Sequence, residues 1–230
     1  MSNSGTNYTI YLKNESSNNQ NFWAFLQKPE GLPNSGVYAH SSAYLNVSPD
    51  YGAINKFDIP LQYSLGAGAS NQEVGLGAQI DSSIILHANV KETWETQYAT
   101  IPPYRGPSLN SEQGHQASDN SITLMTNSFD QEKNEGGKWY SNASFGIQTQ
   151  VGFLGVTWSP YPNEQHVITP KFSFYISTGS FQSDKLADLT KISKKAAKIE
   201  LSDFRNQEVT VTLTSSGDWI VQPGRVLERI

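Results

Sequence analysis

Residues 143–153 read Ala-Ser-Phe-Gly-Ile-Gln-Thr-Gln-Val-Gly-Phe, and this stretch decides the fold class. Its larger apolar side chains occupy every second position, and serine, glycine and glutamine occupy the positions between them. Successive side chains of a β-strand point to opposite faces, so the alternation is typical of an antiparallel strand with one buried face. Residues 74–80 repeat the pattern, and so do residues 8–12. We therefore predict a protein built mainly of β-strands.

The remaining chain extends this prediction to the whole protein. About ten or eleven short strand candidates are separated by turn-forming residues, which is typical of an all-β sandwich or barrel. We predict a single antiparallel β-sandwich (or barrel-like) domain over residues 1–230, with one short helix near 184–195. The least patterned stretch, about 101–120, is predicted to be a long irregular loop.

Two hairpins are also predicted from the order of the strand candidates. The segment at 8–12 is followed by an apolar run at 22–27, which indicates an opening hairpin. The segments at 208–214 and 218–222 are joined by Ser215-Ser-Gly, which indicates a closing hairpin.

Composition excludes several classes of protein. The 230 residues include no cysteine, so a disulfide scaffold and a thiolate zinc site are excluded. Disorder is excluded because 37% of the residues are hydrophobic and 11% are aromatic. Charged residues supply only 16%, against about 25% in an ordinary globular protein. The net charge of −5 gives no general attraction for phosphates, so we expect no nucleic-acid partner.

The N-terminal residues, the length of the apolar runs and the low charge predict the location and assembly of the protein. The first residues lack the basic and apolar segments of a signal peptide, and no run has the 18 or so apolar residues of a transmembrane helix. We expect a cytoplasmic protein, or one released without a classical signal peptide. Low charge and small outward residues suit close packing between subunits, so we expect a homo-oligomer.

Aromatic side chains beside amides in the loops indicate ligand binding. A flat ring covers the apolar face of a sugar, while amides and carboxylates bind its hydroxyl groups. The first hypothesis is a non-enzymatic recognition protein for a neutral, hydroxyl-rich, glycan-like small molecule. Prolines near Trp158 and Tyr161 would reduce the entropy lost on binding. The predicted ligand-binding residues are Trp94, Tyr104, Arg105, Trp158, Tyr161, Asn163 and His166.

An enzyme with a pocket built between loops is the second hypothesis. General acid–base catalysis needs a histidine or a carboxylate near the substrate. The candidates for this role are His40, Asp58, Glu164 and His166. The sequence has no nucleophile elbow, no phosphate-binding loop and no histidine-based metal motif, so we expect neither a cofactor nor a metal.

Two further hypotheses stay open. Uncharged alternation at 74–80 and 143–153 also suits the membrane hairpins of pore-forming proteins, although membrane contact is not the favoured interpretation. The same strands could pack between subunits of a self-assembling structural protein. A lysine cluster at 191–198 would share one face of a helix and could contact an anionic partner or membrane surface.

Overall fold

The computed structural model describes residues 6–49, 54–80, 83–100 and 106–226. The first nine strands are β1 (Asn7–Asn14), β2 (Gln20–Leu26), β3 (Val37–His40), β4 (Tyr44–Val47), β5 (Asn55–Pro60), β6 (Tyr63–Ser70), β7 (Ile84–Ala88), β8 (Glu92–Gln97) and β9 (Ser108–Gln116). The other nine are β10 (Ile122–Thr126), β11 (Tyr140–Thr149), β12 (Gly152–Trp158), β13 (Gln165–Ile168), β14 (Phe174–Thr178), β15 (Leu186–Ala187), β16 (Ala197–Ile199), β17 (Glu208–Leu213) and β18 (Trp219–Pro223).

The strands form four sheets, which confirms the all-β prediction. The six-stranded sheet has the order β15-β3-β12-β11-β6-β7. The three four-stranded sheets have the orders β18-β17-β1-β5, β13-β10-β8-β9 and β16-β14-β2-β4. Most pairs are antiparallel, but β1 pairs with β17 and β8 pairs with β10 in parallel. These two pairs join strands that are distant in sequence, which local alternation cannot reveal.

One cluster of buried apolar side chains contains residues from all four sheets. Ile10, Leu124, Phe145 and Phe174 each come from a different sheet, and all four are fully buried. Burying one such side chain contributes roughly 1.5–3 kcal/mol to folding. The apolar parity of residues 143–149 faces this cluster, as the alternation predicted.

The opposite face of β11 is also buried from Asn142 to Gly146, and only Gln148 on that face is exposed, which corrects the prediction of a strand with one exposed face. Asn142 and Ser144 have exposed fractions of 0% and 1%, although neither is apolar. Val74 and Ile80, from the segment predicted to be a strand, instead form a small cluster with Leu186 beside this sheet. Residues 71–80 contain no strand. Of the two stretches proposed as membrane hairpins, residues 143–153 span the hairpin between the central strands β11 and β12, and residues 74–80 form an irregular segment beside β15.

The helices also differ from the prediction. The predicted helix at 184–195 is reduced to α2 (Leu189–Ser193), which begins after Asp188, and the preceding residues form β15. The polar turn after Phe129 contains α1 (Gln131–Gly136), and a 3-10 helix spans Leu201–Asp203. No helix within the described ranges is long and apolar enough to cross a bilayer.

Three further sequence predictions can be compared with the strands. The closing hairpin is confirmed, because β17 and β18 pair antiparallel. The opening hairpin is wrong, because β1 and β2 belong to different sheets. The predicted irregular loop at 101–120 is wrong for residues 108–116, which form β9 and pair with β8. Pairing of backbone groups needs no apolar side chains, and most of β9 is exposed.

Candidate functional site

Residues 182–188, which we call the strap, lie between two cavities. Asp184 lines a cavity of about 210 Å³, and His40, Ser144 and Phe153 also line it. We call this space the His40 cavity. Gln182 and residues 185–188 line a second cavity of about 340 Å³, which we call the strap cleft. A single short segment of chain thus forms a wall of both cavities.

Hydrogen bonds to Ser41 fix the position of the strap. The Ser41 hydroxyl lies within hydrogen-bond distance of the carbonyl oxygens of Gln182 and Lys185. The Ser41 amide donates to the Lys185 carbonyl, and the Asp184 amide donates to the Ser41 carbonyl. Asp184 has a φ of 59°, a conformation that aspartate tolerates better than most residues. The strap therefore turns sharply around Ser41.

A chain of three hydrogen-bonded side chains lies beside the His40 cavity, and its two end members, His40 and Ser144, line the cavity. His40 Nε2 and Thr157 Oγ1 are 2.5 Å apart, and Thr157 Oγ1 and Ser144 Oγ are 2.6 Å apart. Adjacent strands β3, β12 and β11 supply these residues in that order. All three side chains are buried, with exposed fractions of 9%, 0% and 1%. The sheet register thus aligns an imidazole and two hydroxyl groups across three strands.

Phe153 forms the apolar side of the same cavity. Its ring meets the His40 ring edge-on at 5.2 Å between centroids. A Cβ atom on Gly155 would lie 2.3 Å from the Phe153 ring, and one on Gly146 would lie 2.7 Å from it. Only glycine leaves room for the ring at these two positions. Ile80 and Ile85 complete the apolar wall.

Burial controls the electrostatics of the His40 cavity. Loss of water around the imidazole lowers the pKa of His40 to about 4, and the Asp184 carboxylate acts in the opposite direction. His40 is therefore neutral at pH 7, so the chain of His40, Thr157 and Ser144 carries no formal charge. Asp184 is exposed at the rim. Within the described ranges, no group of three or more His, Cys, Asp or Glu residues could hold a metal ion.

The strap cleft has different chemistry. Its apolar wall includes Leu76, Phe181, Leu186 and Ile192, and its cationic residues are Lys185, Lys191 and Lys195. One carboxylate, that of Asp188, also lines the cleft. A hydrogen bond from the Thr190 hydroxyl is the main reason why the pKa of Asp188 is lowered. The cleft therefore has an apolar wall and more positive than negative side chains.

The predicted residues around Trp158 form a different, structural cluster. Trp158 is 1% exposed and belongs to the main apolar core, so it cannot contact a ligand in this structure. Its indole Nε1 donates to His166 Nε2 over 3.2 Å, and His166 is only 4% exposed. Glu164 Oε2 lies 3.0 Å from the same imidazole nitrogen and also accepts a hydrogen bond from the Tyr161 amide. These contacts brace the turn at 159–165.

The remaining predicted site residues do not converge. Tyr161 is 61% exposed, and Asn163 is exposed in a turn at a φ of 55°. Trp94 is 7% exposed and packs in the core, which overturns its prediction as a ligand contact. Asp58 is bound by Lys56 and Thr9 on sheet strands rather than in a cavity. Tyr104 and Arg105 lie outside the described residues.

Comparisons with known proteins give no further guide. The chain matches no protein-family model, no curated protein and no solved structure. The function must therefore be argued from the two cavities.

Of the predicted site residues that the structure describes, only His40 lines one of these two cavities. The sequence analysis missed Ser144 and Thr157, because polar residues on alternating parity are the normal exposed face of a strand. The alternation in the sequence predicts that the Phe153 side chain faces the core rather than a cavity. The one available signal was the pair of glycines, Gly146 and Gly155, in otherwise strongly β-forming runs. Glycine within a strand indicates close approach by another group, and here that group is the Phe153 ring.

Proposed function

We propose that this chain is a non-enzymatic recognition protein that binds a small, neutral, hydroxylated molecule in the His40 cavity. The observation that carries the proposal is the buried hydrogen-bonded chain of His40, Thr157 and Ser144. Small-molecule sites combine an apolar lining with a few polar groups that orient the ligand, and His40 and Ser144 supply such groups in this cavity. The apolar ring of Phe153 beside it suits the carbon face of the same ligand.

The His40, Thr157 and Ser144 side chains are all uncharged at pH 7, which supports a neutral hydroxyl group as the ligand group beside them. Neutral imidazole and each hydroxyl group can donate or accept, so the chain can be oriented in either direction. His40 and Ser144 both line the cavity, so this chain of side chains places an imidazole and a hydroxyl group beside a ligand hydroxyl group. The Asp184 carboxylate at the rim can accept from a second hydroxyl group, and it repels an anion.

Two observations favour binding over catalysis. A general base works best with a pKa near the working pH, and burial lowers the pKa of His40 to about 4. The other acid–base candidates lie elsewhere, with Glu164 and His166 bracing the Trp158 turn and Asp58 paired with Lys56. The enzyme hypothesis therefore has fewer supporting contacts than recognition.

The test is a saturation-transfer NMR screen of neutral sugars and polyols against glucuronate as a negatively charged analogue. We expect at least one neutral compound to bind, and glucuronate to bind more weakly because the Asp184 carboxylate repels it. Ser144→Ala and Thr157→Val should each weaken binding by about two- to tenfold, the value of one hydrogen bond. Thr96→Val is the matched control, because Thr96 is also fully buried, whereas only the Thr157 hydroxyl bonds to the two cavity-lining residues His40 and Ser144.

Two results would contradict this proposal. The first is that no neutral sugar or polyol binds to the wild-type protein. The second is that Thr157→Val, shown to be folded by circular dichroism, binds as tightly as the wild type and Thr96→Val.

Self-association is a second candidate function, favoured by the edge strand β7. Its sequence, Ile84-Ile-Leu-His-Ala88, has neither charge nor proline, and Ile85 and Leu86 are 41% and 39% exposed. One side of β7 pairs with β6, and no described strand pairs with its other side. An edge of this type can pair with a second copy of the chain.

The other sheet edges are better protected. Lys56, Asp58 and Pro60 lie on β5, Glu112 lies on β9, and Pro223 ends β18. The remaining described edge strands, β4, β13, β15 and β16, have four residues or fewer. Two copies of β7 could pair antiparallel about Leu86, which gives a closed twofold dimer.

Size-exclusion chromatography with light scattering tests this second candidate across a range of protein concentrations. We expect a dimer that Leu86→Lys converts to a monomer. Leu61→Lys is the control, because Leu61 is 44% exposed but lies outside the strands. A monomeric wild type at every concentration, or equal effects of the two variants, would rule out pairing through β7.

A further inference from the structure

The strap cleft is a second cavity whose lining differs from that of the His40 cavity. Its apolar wall is built from three separate segments, which contribute Leu76, Phe181 and Ile192. Its volume of about 340 Å³ falls within the range of small-molecule sites. Such sites combine a mainly apolar lining with a few polar groups that orient the ligand. The cleft therefore offers a buried surface for an apolar body of limited size.

The cationic residues of the cleft are unusual in this acidic protein. The chain has a net charge of −5, yet Lys185, Lys191 and Lys195 all line the cleft. No described carboxylate forms an ion pair with Lys185 or Lys195. Lys191 lies 3.7 Å from Asp188, which is a loose pair because its side chain is 77% exposed. Positive charge is therefore available to a ligand.

Asp188 caps helix α2, and its single negative charge offsets only part of the positive charge of the three lysines. Its carboxylate accepts hydrogen bonds from the backbone amides of Thr190 and Lys191 and from the Thr190 hydroxyl. These bonds cap the first turn of α2. The neighbouring Lys198 is not part of the cleft, because it lies on β16 and pairs with Glu200. The four lysines of the 191–198 cluster thus have different roles, and do not form one helix face.

We propose that the strap cleft binds an anionic amphiphile, a single molecule with an apolar tail and a carboxylate or similar acidic head group. The tail packs against Leu76, Phe181 and Ile192, and the head group lies among Lys185, Lys191 and Lys195. This site is separate from the His40 cavity, so it goes beyond the function proposed above. The occupant is a free molecule and not a bilayer, because the apolar residues line a cleft of limited volume.

Isothermal titration calorimetry with decanoate below its micellar concentration tests the proposal. Decanol and decyltrimethylammonium carry the same tail with a neutral and a cationic head group. We expect decanoate to bind more tightly than decanol, and decyltrimethylammonium to bind most weakly. Added salt should weaken decanoate binding, because the lysine side chains are accessible to solvent.

Substitution of individual lysines distinguishes the effect of charges that line the cleft from the effect of a nearby charge outside it. Lys191→Gln and Lys195→Gln should each weaken decanoate binding by about two- to fivefold, as expected for exposed ion pairs. Lys194→Gln is the matched control, since Lys194 lies between them in sequence but does not line the cleft. Leu76→Gln tests the apolar wall, because Leu76 is 56% exposed and its replacement leaves the core intact.

The proposal is overturned if decanoate and decanol bind equally, or if Lys191→Gln and Lys195→Gln behave like Lys194→Gln. It is also overturned if the chain binds vesicles of phosphatidylglycerol but not monomeric decanoate, since a bilayer surface would then be the partner. Loss of sugar binding by Thr157→Val with unchanged decanoate binding would show that the two proposals are independent.

Discussion

The indole Nε1 of Trp158 lies 3.2 Å from Nε2 of His166, inside the core of the protein. Nδ1 of the same imidazole lies 3.3 Å from the Gly31 carbonyl oxygen. The two contacts tie the end of β12 to β13 and to the turn at Gly31. A pair that sequence analysis assigned to ligand binding is therefore part of the scaffold.

Trp158→Phe should destabilise the protein by about 1–3 kcal/mol, because it removes both packing volume and the donor to a buried nitrogen. Urea unfolding measures the change. Trp219→Phe is the control, since its indole donates to the Lys195 carbonyl near the surface and water can replace that bond. Equal losses in the two variants would contradict a structural role for the Trp158–His166 bond.

Stability should fall as the pH falls through the titration range of His40. Burial lowers the pKa of His40 from 6.5 to about 4, so the unfolded chain binds more protons between these values. The contribution is fully present above about pH 6.5 and is lost as the pH falls to about 4, with an upper limit of about 3 kcal/mol. Urea unfolding of the wild type and of His40→Gln from pH 7 to pH 4 isolates this slope. A slope that is unchanged in His40→Gln would contradict the assignment.

Gly152→Ala should destabilise the hairpin between β11 and β12 by about 2 kcal/mol or more. Gly152 has a φ of 144°, and an added Cβ would lie 2.7 Å from the carbonyl carbon and oxygen of Ser42. Gly75→Ala should be nearly neutral, because no atom lies within 4 Å of its Cβ position. Thermal unfolding of both variants measures the difference, and similar midpoints would show that Ser42 moves aside.

Ser41→Ala should loosen the strap without unfolding the protein. It removes the hydroxyl that bonds to the carbonyls of Gln182 and Lys185, at a cost of about 1 kcal/mol. Hydrogen exchange at the Asp184 amide, which donates to the Ser41 carbonyl, should become faster. Ser183→Ala is the control, because the Ser183 hydroxyl is exposed and bonds only to Asp184. Unchanged exchange in Ser41→Ala would contradict this role.

Alternation in the sequence predicted strands well where one face meets the core. It succeeded at β1, where Ile10 and Leu12 are buried, and at the closing hairpin of β17 and β18. It failed at 74–80, where Gly77 takes a φ of 73° and only two backbone hydrogen bonds, between residues 77–78 and Leu186, join the segment to β15. It could not place β1 beside β17, because a parallel pairing between the two ends of the chain has no local signal.

The site was harder to predict, for a physical reason. Aromatic residues in turns were assigned to ligand binding, but the size of Trp158 and Trp94 also makes them effective core residues. Ser144 has an ordinary strand position, and only segments outside the sheet, which contribute Ile80 and Asp184, make it part of a cavity wall. The candidate site depends on which segments pack over a sheet face. That packing is a property of the tertiary structure, so the local sequence pattern does not reveal it.

The strap has a consequence for the mutational analysis of the two cavities. Asp184 borders one space and Leu186 borders the other, only two residues apart on the same segment. Any change in the position of this segment therefore alters the shape of both cavities at once. A substitution in the strap that changes one cavity must accordingly be tested for its effect on the other.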